Sequence, residues 1–185
     1  MFRLIALIFT RYIFKFRLIG DFPKLKKFVI IVVPHTSNWD FIVAIGARTI
    51  LNEPIHFVGK KALFNPLTSW FFKGLGGMPL NRKKNEQVVD TIARMYAEED
   101  CFRMAIAPEG TRKKVEAWKT GFYYIAQKAE VPILPIAFDW KNKEMIFHPL
   151  FTPTNDMDKD FGDLMKLFQG VEGKVKKNSF QQIQR

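Results

Sequence analysis

Phe28-Val29-Ile30-Ile31-Val32-Val33-Pro34-His35-Thr36-Ser37-Asn38-Trp39-Asp40 is the stretch on which the fold turns. It opens with six consecutive apolar residues, nearly all β-branched. A continuous apolar run of that length predicts a strand buried on both faces rather than one half-exposed. Pro34, without a backbone N–H, ends it. Ser37 or Asn38 can cap a helix N-terminus, and residues 41–51 (Phe-Ile-Val-Ala-Ile-Gly-Ala-Arg-Thr-Ile-Leu) suit a buried helix. A buried strand that passes through a short polar turn into a helix is the building unit of an open α/β sheet. That turn is also where such sheets place their sites.

The pattern repeats downstream. His56-Phe57-Val58 reads as a short strand, and residues 66–75 as a short helix opened by Pro66 and broken by Gly74, Gly76 and Gly77. Residues 85–98 are amphipathic and helical. Arg103 to Ala107 is strand-like and stops at Pro108; residues 118–130 suit a helix, Ile133 to Phe138 a strand, and Glu144 to Phe147 a last one. Strands alternating with helices predict an α/β domain with a mixed, largely parallel sheet flanked by helices. The chain of 185 residues is long enough for one such domain, assigned to residues 23–185. The polar, basic tail at 171–185 is expected to be loosely ordered.

Residues 1–22 are different in character. The longest early apolar run, Leu4 to Phe9, is far short of the roughly 20 residues needed to span a bilayer, and no small-residue cleavage site follows it. Ile5, Phe9, Tyr12, Phe16 and Ile19 fall on one face of a helix, with Arg11 and Lys15 on another. This pattern has two readings: an amphipathic helix lying on a membrane surface, or a helix packing its stripe on the domain core.

Composition adds to the membrane reading. The formal charge is +11, from 29 basic and 18 acidic residues, which favours an anionic partner. Up to residue 30 the basic residues face Asp21 alone, in a segment that is also very apolar. That combination points to an anionic membrane and away from nucleic acid. A peripheral or monotopic position on the cytoplasmic face of a membrane is the expectation. Cys101 is the only cysteine, so no intramolecular disulfide can form; it is expected to be a small buried residue.

Three blocks carry candidate chemistry. His35 and Asp40 are five residues apart, which on one regular helix would turn them about 140° from each other. They can meet only if the chain bends between them, as a cap at Ser37 or Asn38 would make it do. An aspartate that accepts a proton from one imidazole nitrogen leaves the other as a base. By spacing alone the signal is weak, and a structural histidine is the commoner reading. The second block is Pro108-Glu109-Gly110-Thr111-Arg112, again directly after a strand. Gly110 permits an unusual backbone angle, and Arg112 with Thr111 suits a phosphate; a plain turn with a solvated arginine is the alternative. The third is Gly76-Gly77-Met78-Pro79-Leu80-Asn81-Arg82, with Lys60 and Lys61 upstream, which suits an anionic ligand or is a solvated basic loop. His56 and His148 have no Cys or His at ligand spacing, so no metal site is read.

In this order the blocks resemble the glycerolipid acyltransferase family, whose best-known members acylate lysophosphatidic acid. His35-Thr-Ser-Asn-Trp-Asp40, Gly76-Gly-Met-Pro-Leu-Asn-Arg82, Glu109-Gly-Thr-Arg112 and Val131-Pro-Ile-Leu-Pro135 correspond to four ordered family blocks, and Trp118-Lys-Thr-Gly-Phe122 to a fifth segment. The likeness covers roughly residues 28 to 140. Asn81 stands where the family often has an acidic residue, and Lys113 where it usually has serine; the Asn38-Trp39-Asp40-Phe41 run looks like a short subgroup.

The resemblance implies an O-acyltransferase of phospholipid biosynthesis. Its acyl donor would be acyl-CoA or an acyl carrier protein, with no cofactor. His35 would be the general base and Asp40 its orienting partner. Lys60, Lys61, Arg82, Glu109, Gly110, Thr111 and Arg112 would bind substrate, the arginines holding an acceptor phosphate and Glu109 a hydroxyl or Arg112. A non-phosphate lysolipid is the alternative acceptor. Outside the resemblance stand a thioesterase using His35 and a non-enzymatic basic membrane- or nucleic-acid-binding protein.

Overall fold

The computed structural model describes residues 7–59, 61–79, 85–154 and 156–179. Its centre is β2 (Lys27–Val33), whose two faces are both apolar. Phe28 and Ile30 enter one hydrophobic cluster, while Val29, Ile31 and Val33 enter another. This period-2 division is what a strand with helices on both sides requires.

Around β2 lie β1 (Arg17–Ile19), β3 (Ile55–Gly59), β4 (Gly77–Pro79), β5 (Phe102–Ile106), β6 (Ile133–Asp139) and β7 (Glu144–Phe147). The seven strands follow the order β1-β7-β6-β2-β5-β3-β4. β6, β2, β5, β3 and β4 are mutually parallel. β7 is antiparallel to β6 and carries β1 parallel to itself. The sheet is thus mixed and largely parallel.

Helices cover both faces. α3 (Asn85–Glu98), α4 (Gly121–Lys128) and α5 (Met157–Lys166) close one side, where Tyr96, Phe122 and Leu164 meet Val29, Ile31 and Ile133. α1 (Asn38–Leu51) closes the other, with Val43 and Ala47 against Phe28, Ile30 and Phe138. The short α2 (Ser69–Gly74) lies beside α1, Phe72 approaching Phe41 with ring centroids 6.5 Å apart. Tyr96 fixes α3 to the sheet, its hydroxyl donating to the Phe28 carbonyl at 2.8 Å and accepting from Met104 N.

Three sequence expectations change here. The N-terminal stripe does not form one helix through Ile19. A π-helical turn, Ile8–Ile13, ends at Lys15 in the left-handed region (φ 58°), and β1 follows. The cause is Phe16, which is 2% exposed and packs on Trp140 at 4.9 Å, whereas Tyr12 is 67% exposed. A single helical face cannot serve both. Gly46 lets this turn lie close on α1, since a Cβ there would meet Thr10 Oγ1 at 2.0 Å. Ile5, the first residue of the stripe, lies outside the described residues.

The tail is the second change. Residues 171–179 dock on the domain: Trp140 N donates to the Glu172 carbonyl, and Gly173 and Ser179 are buried. Residues 180–185 lie outside the described residues. Third, β1, β4 and α5 have no counterpart in the sequence reading. Cys101 is half-buried and free.

Candidate active site

The turn from β2 into α1 is built by one carboxylate. Asp40 occupies the third position of α1, and its Oδ2 accepts from the backbone N–H of Thr36 and of Ser37, both at 2.8 Å. Ser37 is the N-cap, and its hydroxyl accepts from Trp39 N at 3.2 Å, completing a reciprocal capping box. The bend turns His35 back over the helix end, where its Nδ1 lies 3.1 Å from Asp40 Oδ2. The expected meeting of His35 and Asp40 therefore occurs, and by the expected device.

Asp40 is 2% exposed, while the His35 side chain keeps 24% of its surface open. A buried carboxylate needs partners on all sides. Trp140, just past the end of β6, supplies the remaining one, its Nε1–H donating to Asp40 Oδ1 at 2.7 Å. Held from three directions, Asp40 fixes the imidazole with Nδ1 inward. Nε2 is left as the second ring nitrogen.

Glu109 follows β5, the neighbour of β2, and reaches the same turn. Its Oε2 accepts from His35 N at 2.8 Å. It is 3% exposed, and its Oε1 is buried with no hydrogen-bond partner among the described residues. Burial pushes this carboxyl up to about 8; the charge of Asp40 adds to the shift and the His35 N–H opposes it. The shift favours the protonated form of Glu109 at neutral pH. The sequence reading offered it a hydroxyl or Arg112; the structure gives it the backbone of His35.

The rest of that loop faces water. Gly110 takes a φ of 65°, and Thr111 and Arg112 are exposed. Asn178 Nδ2 donates to the Arg112 carbonyl at 2.9 Å, and Lys119 N to the Pro108 carbonyl at 2.8 Å. The docked tail closes the floor: Val175 N donates to Thr36 Oγ1 at 3.2 Å, and a Cβ on Gly173 would meet the Thr36 side chain at 2.6 Å. Lys174 Nζ stands 4.5 Å above the Trp140 ring. No spacing rule pointed to Trp140 or to residues 173–178.

Lys60 and Arg82 lie outside the described residues. Lys61 starts a 3₁₀ turn after β3, and β4 ends at Pro79. Because β3 and β4 are parallel to β2, both strands end on the His35 side of the sheet. His56 and His148 do not join the site; they pack on Phe102 and Phe168, and burial lowers the pKa of each. Among the described residues no cluster of three or more His, Cys, Asp or Glu could hold a metal ion. Between α1 and the sheet lies an apolar cavity walled by Phe41, Ala44, Ile45, Ala105, Ile136 and Phe138, among others.

The chain is similar to known proteins in sequence and in fold. A family model described as Acyltransferase matches residues 14–139. The 1-acyl-sn-glycerol-3-phosphate acyltransferase of Escherichia coli (strain K12) is 30% identical over 58% of this chain and 45% of its own length. The enzyme of that name from Saccharomyces cerevisiae is 27% identical over 65% of this chain and 41% of its own. The chain thus spans less than half the length of these relatives. The crystal structure of the 1-acyl-sn-glycerophosphate (LPA) acyltransferase PlsC from Thermotoga maritima shares the fold, with a TM-score of 0.61 at 17% identity, covering 89% of this chain and 76% of that one.

Proposed function

The chain belongs to the acyltransferase family, and from that premise we propose that it moves a fatty acyl group from a thioester to the hydroxyl of a lysophospholipid, in first place 1-acylglycerol-3-phosphate. The observation that carries the reading is the His35–Asp40 pair, 3.1 Å apart at the strand end through Nδ1, in a half-buried imidazole whose second nitrogen is Nε2.

In the proposed reaction, the acceptor hydroxyl passes its proton to His35 Nε2 as its oxygen attacks the thioester carbonyl carbon. Asp40 stabilises the imidazolium through Nδ1. The C–O bond forms, the tetrahedral oxyanion collapses, and the C–S bond breaks. The departing thiolate takes the proton from Nε2, leaving an ester and a free thiol. Acyl-CoA or an acyl carrier protein fits as donor. The apolar cavity under α1 is the surrounding a hydrocarbon chain needs.

Arg112, with Arg82 and Lys60 or Lys61, is assigned to the acceptor phosphate. A guanidinium offers paired donors that match phosphate oxygens. Glu109 is assigned to holding the His35 backbone, in its protonated form. The expected membrane is an anionic one, met peripherally: no helix of the described residues is long and apolar enough to cross a bilayer.

Lipid mass spectrometry of cells with and without this protein tests the reading. Loss of a diacyl phospholipid with a rise in its monoacyl precursor is expected. A thioesterase would instead raise free fatty acid and leave the monoacyl pool unchanged, and that result would replace this reading.

A further inference from the structure

We propose that α2 and the start of α1 form a lipid-contacting surface that seats the His35 end of the sheet on an anionic bilayer. The proposal rests on the reading of the substrate as a membrane lipid, and it names the surface through which that lipid is reached.

α2 buries none of its residues. Leu67 is 85% exposed, Trp70 73%, Phe71 48% and Leu63 39%. Trp39 and Ile42, on the first turns of α1, are 48% and 47% exposed. The two elements meet through inner rings, since Phe72 of α2 approaches Phe41 of α1 and lies 6.1 Å from Phe64. Inward-facing phenylalanines anchor the element, and Leu67, Trp70 and Phe71 are left to solvent. An apolar patch of this kind on a soluble surface marks a contact site.

The backbone here is prepared for a medium poor in water. Asn65 Oδ1 accepts from Leu67 N at 3.0 Å and Thr68 N at 3.1 Å. Thr68 Oγ1 donates to the Leu63 carbonyl at 2.7 Å, and Trp70 Nε1 to the Leu67 carbonyl at 3.0 Å. Polar groups satisfied within the loop can enter a headgroup layer without being stranded. Tryptophan, with an apolar body and a polar edge, favours that layer.

Charge selects the partner. Lys73 is exposed on α2 itself, and Lys174 Nζ sits 5.6 Å from the Trp39 ring. The Phe14 ring lies tilted 5.5 Å from Trp39, bringing exposed Lys15 to the same border. An apolar patch rimmed by lysines, on a chain of net charge +11, complements anionic lipid. Position agrees: Trp39 adjoins Asp40, so a bilayer lying on this surface lies at the mouth of the His35 site. Leu25 provides an internal contrast. It is 48% exposed between Lys24 and Lys26, but it precedes β2 and so lies at the opposite end of the sheet.

The test measures partition of the full chain onto vesicles of phosphatidylcholine and phosphatidylglycerol, with no thioester or acceptor present. A Leu67→Ser, Trp70→Ser, Phe71→Ser variant is expected to lose about tenfold or more in partition, the scale set by withdrawing large apolar side chains from lipid. Leu67→Asp alone should lose in the same direction, and Leu25→Ser should match the parent. A polarity-sensitive fluorophore at Leu67→Cys, in a Cys101→Ser background, should shift to the blue on vesicles, and one at Leu25→Cys should not. Parent-like partition of both α2 variants, or a label at position 67 that stays in water, overturns the proposal. So does a parent dimer that the α2 variants dissolve while vesicle partition is unchanged, which would make the patch a surface between copies. Because the assay contains no substrate, a failure here leaves the acyl-transfer reading standing, and failure of acyl transfer leaves this result readable.

Discussion

The two loops at the centre of the site leave adjacent parallel strands in the same direction, yet they are built on opposite principles. The loop after β2 is closed: Asp40 accepts from Thr36 N, Ser37 N and Trp140 Nε1 and holds His35 Nδ1. The loop after β5 is open. Glu109 is buried with one oxygen unpaired among the described residues, and Thr111 and Arg112 stand in solvent. The first arrangement suits a group that must keep one orientation through a proton transfer. The second suits groups that wait for an anionic partner to complete them.

If the closed loop is the reacting half, its disruption should cost most. His35→Ala is expected to lower kcat about 10²–10⁴-fold, the usual contribution of a positioned base, with circular dichroism unchanged. Asp40→Asn should cost at least about 10²-fold. Each oxygen of Asp40 faces an N–H donor, so either orientation of the new amide sets donor against donor. Parent-like turnover in both folded variants would erase the contrast between the loops.

Trp140→Phe probes the closed loop at its edge. It keeps the ring but removes the donor to Asp40 Oδ1. A hydrogen bond to a charged group contributes about 1.5–3 kcal/mol, so kcat should fall roughly tenfold to a hundredfold, with acceptor KM little changed. A rise in KM at constant kcat would show that Trp140 faces substrate rather than Asp40.

Arg112→Lys probes the open loop and should act differently. Loss of paired donors is expected to raise the KM for lysophosphatidic acid by about threefold to tenfold, leaving the KM for acyl-CoA unchanged. Equal effects on both substrates would move Arg112 out of the phosphate assignment.

The smallest effect on turnover is expected from Glu109→Gln, whose signature is in stability. The folded carboxyl titrates at about 8 against an ordinary 4.5. Between those values the folded protein holds a proton that the unfolded chain has lost. The contribution of this group to stability is therefore fully present below pH 4.5 and is lost as the pH rises through about 8. Glutamine cannot ionise, so urea midpoints followed across that window should fall less in the variant than in the parent. Parallel curves would mean that Glu109 is already ionised when folded.

The closed loop was legible in the sequence because its logic is local. A β-branched run, a proline, a cap residue and a helix fix where His35 and Asp40 go, and five residues suffice. What was missed is long-range. Trp140 is one hundred residues from Asp40, and the docking of residues 173–178 depends on Thr36 and Arg112, which no periodicity connects to them. The N-terminal stripe misled for a related reason. Helical spacing describes a face, but Phe16 is drawn out of register by an aromatic core of Phe138 and Trp140 that only the assembled sheet creates. β4 looks like a glycine loop in the sequence because a three-residue edge strand has too few positions to show alternation.

The central claim is that His35 passes an acyl group to a lipid hydroxyl rather than to water. The most direct measurement mixes the purified protein with a long-chain acyl-CoA, with and without lysophosphatidic acid, and follows free thiol and lipid product together. The account predicts equal amounts of thiol and phosphatidic acid, formed only with the acceptor present and lost in His35→Ala. Thiol release that is indifferent to the acceptor, with fatty acid as the product, would contradict it.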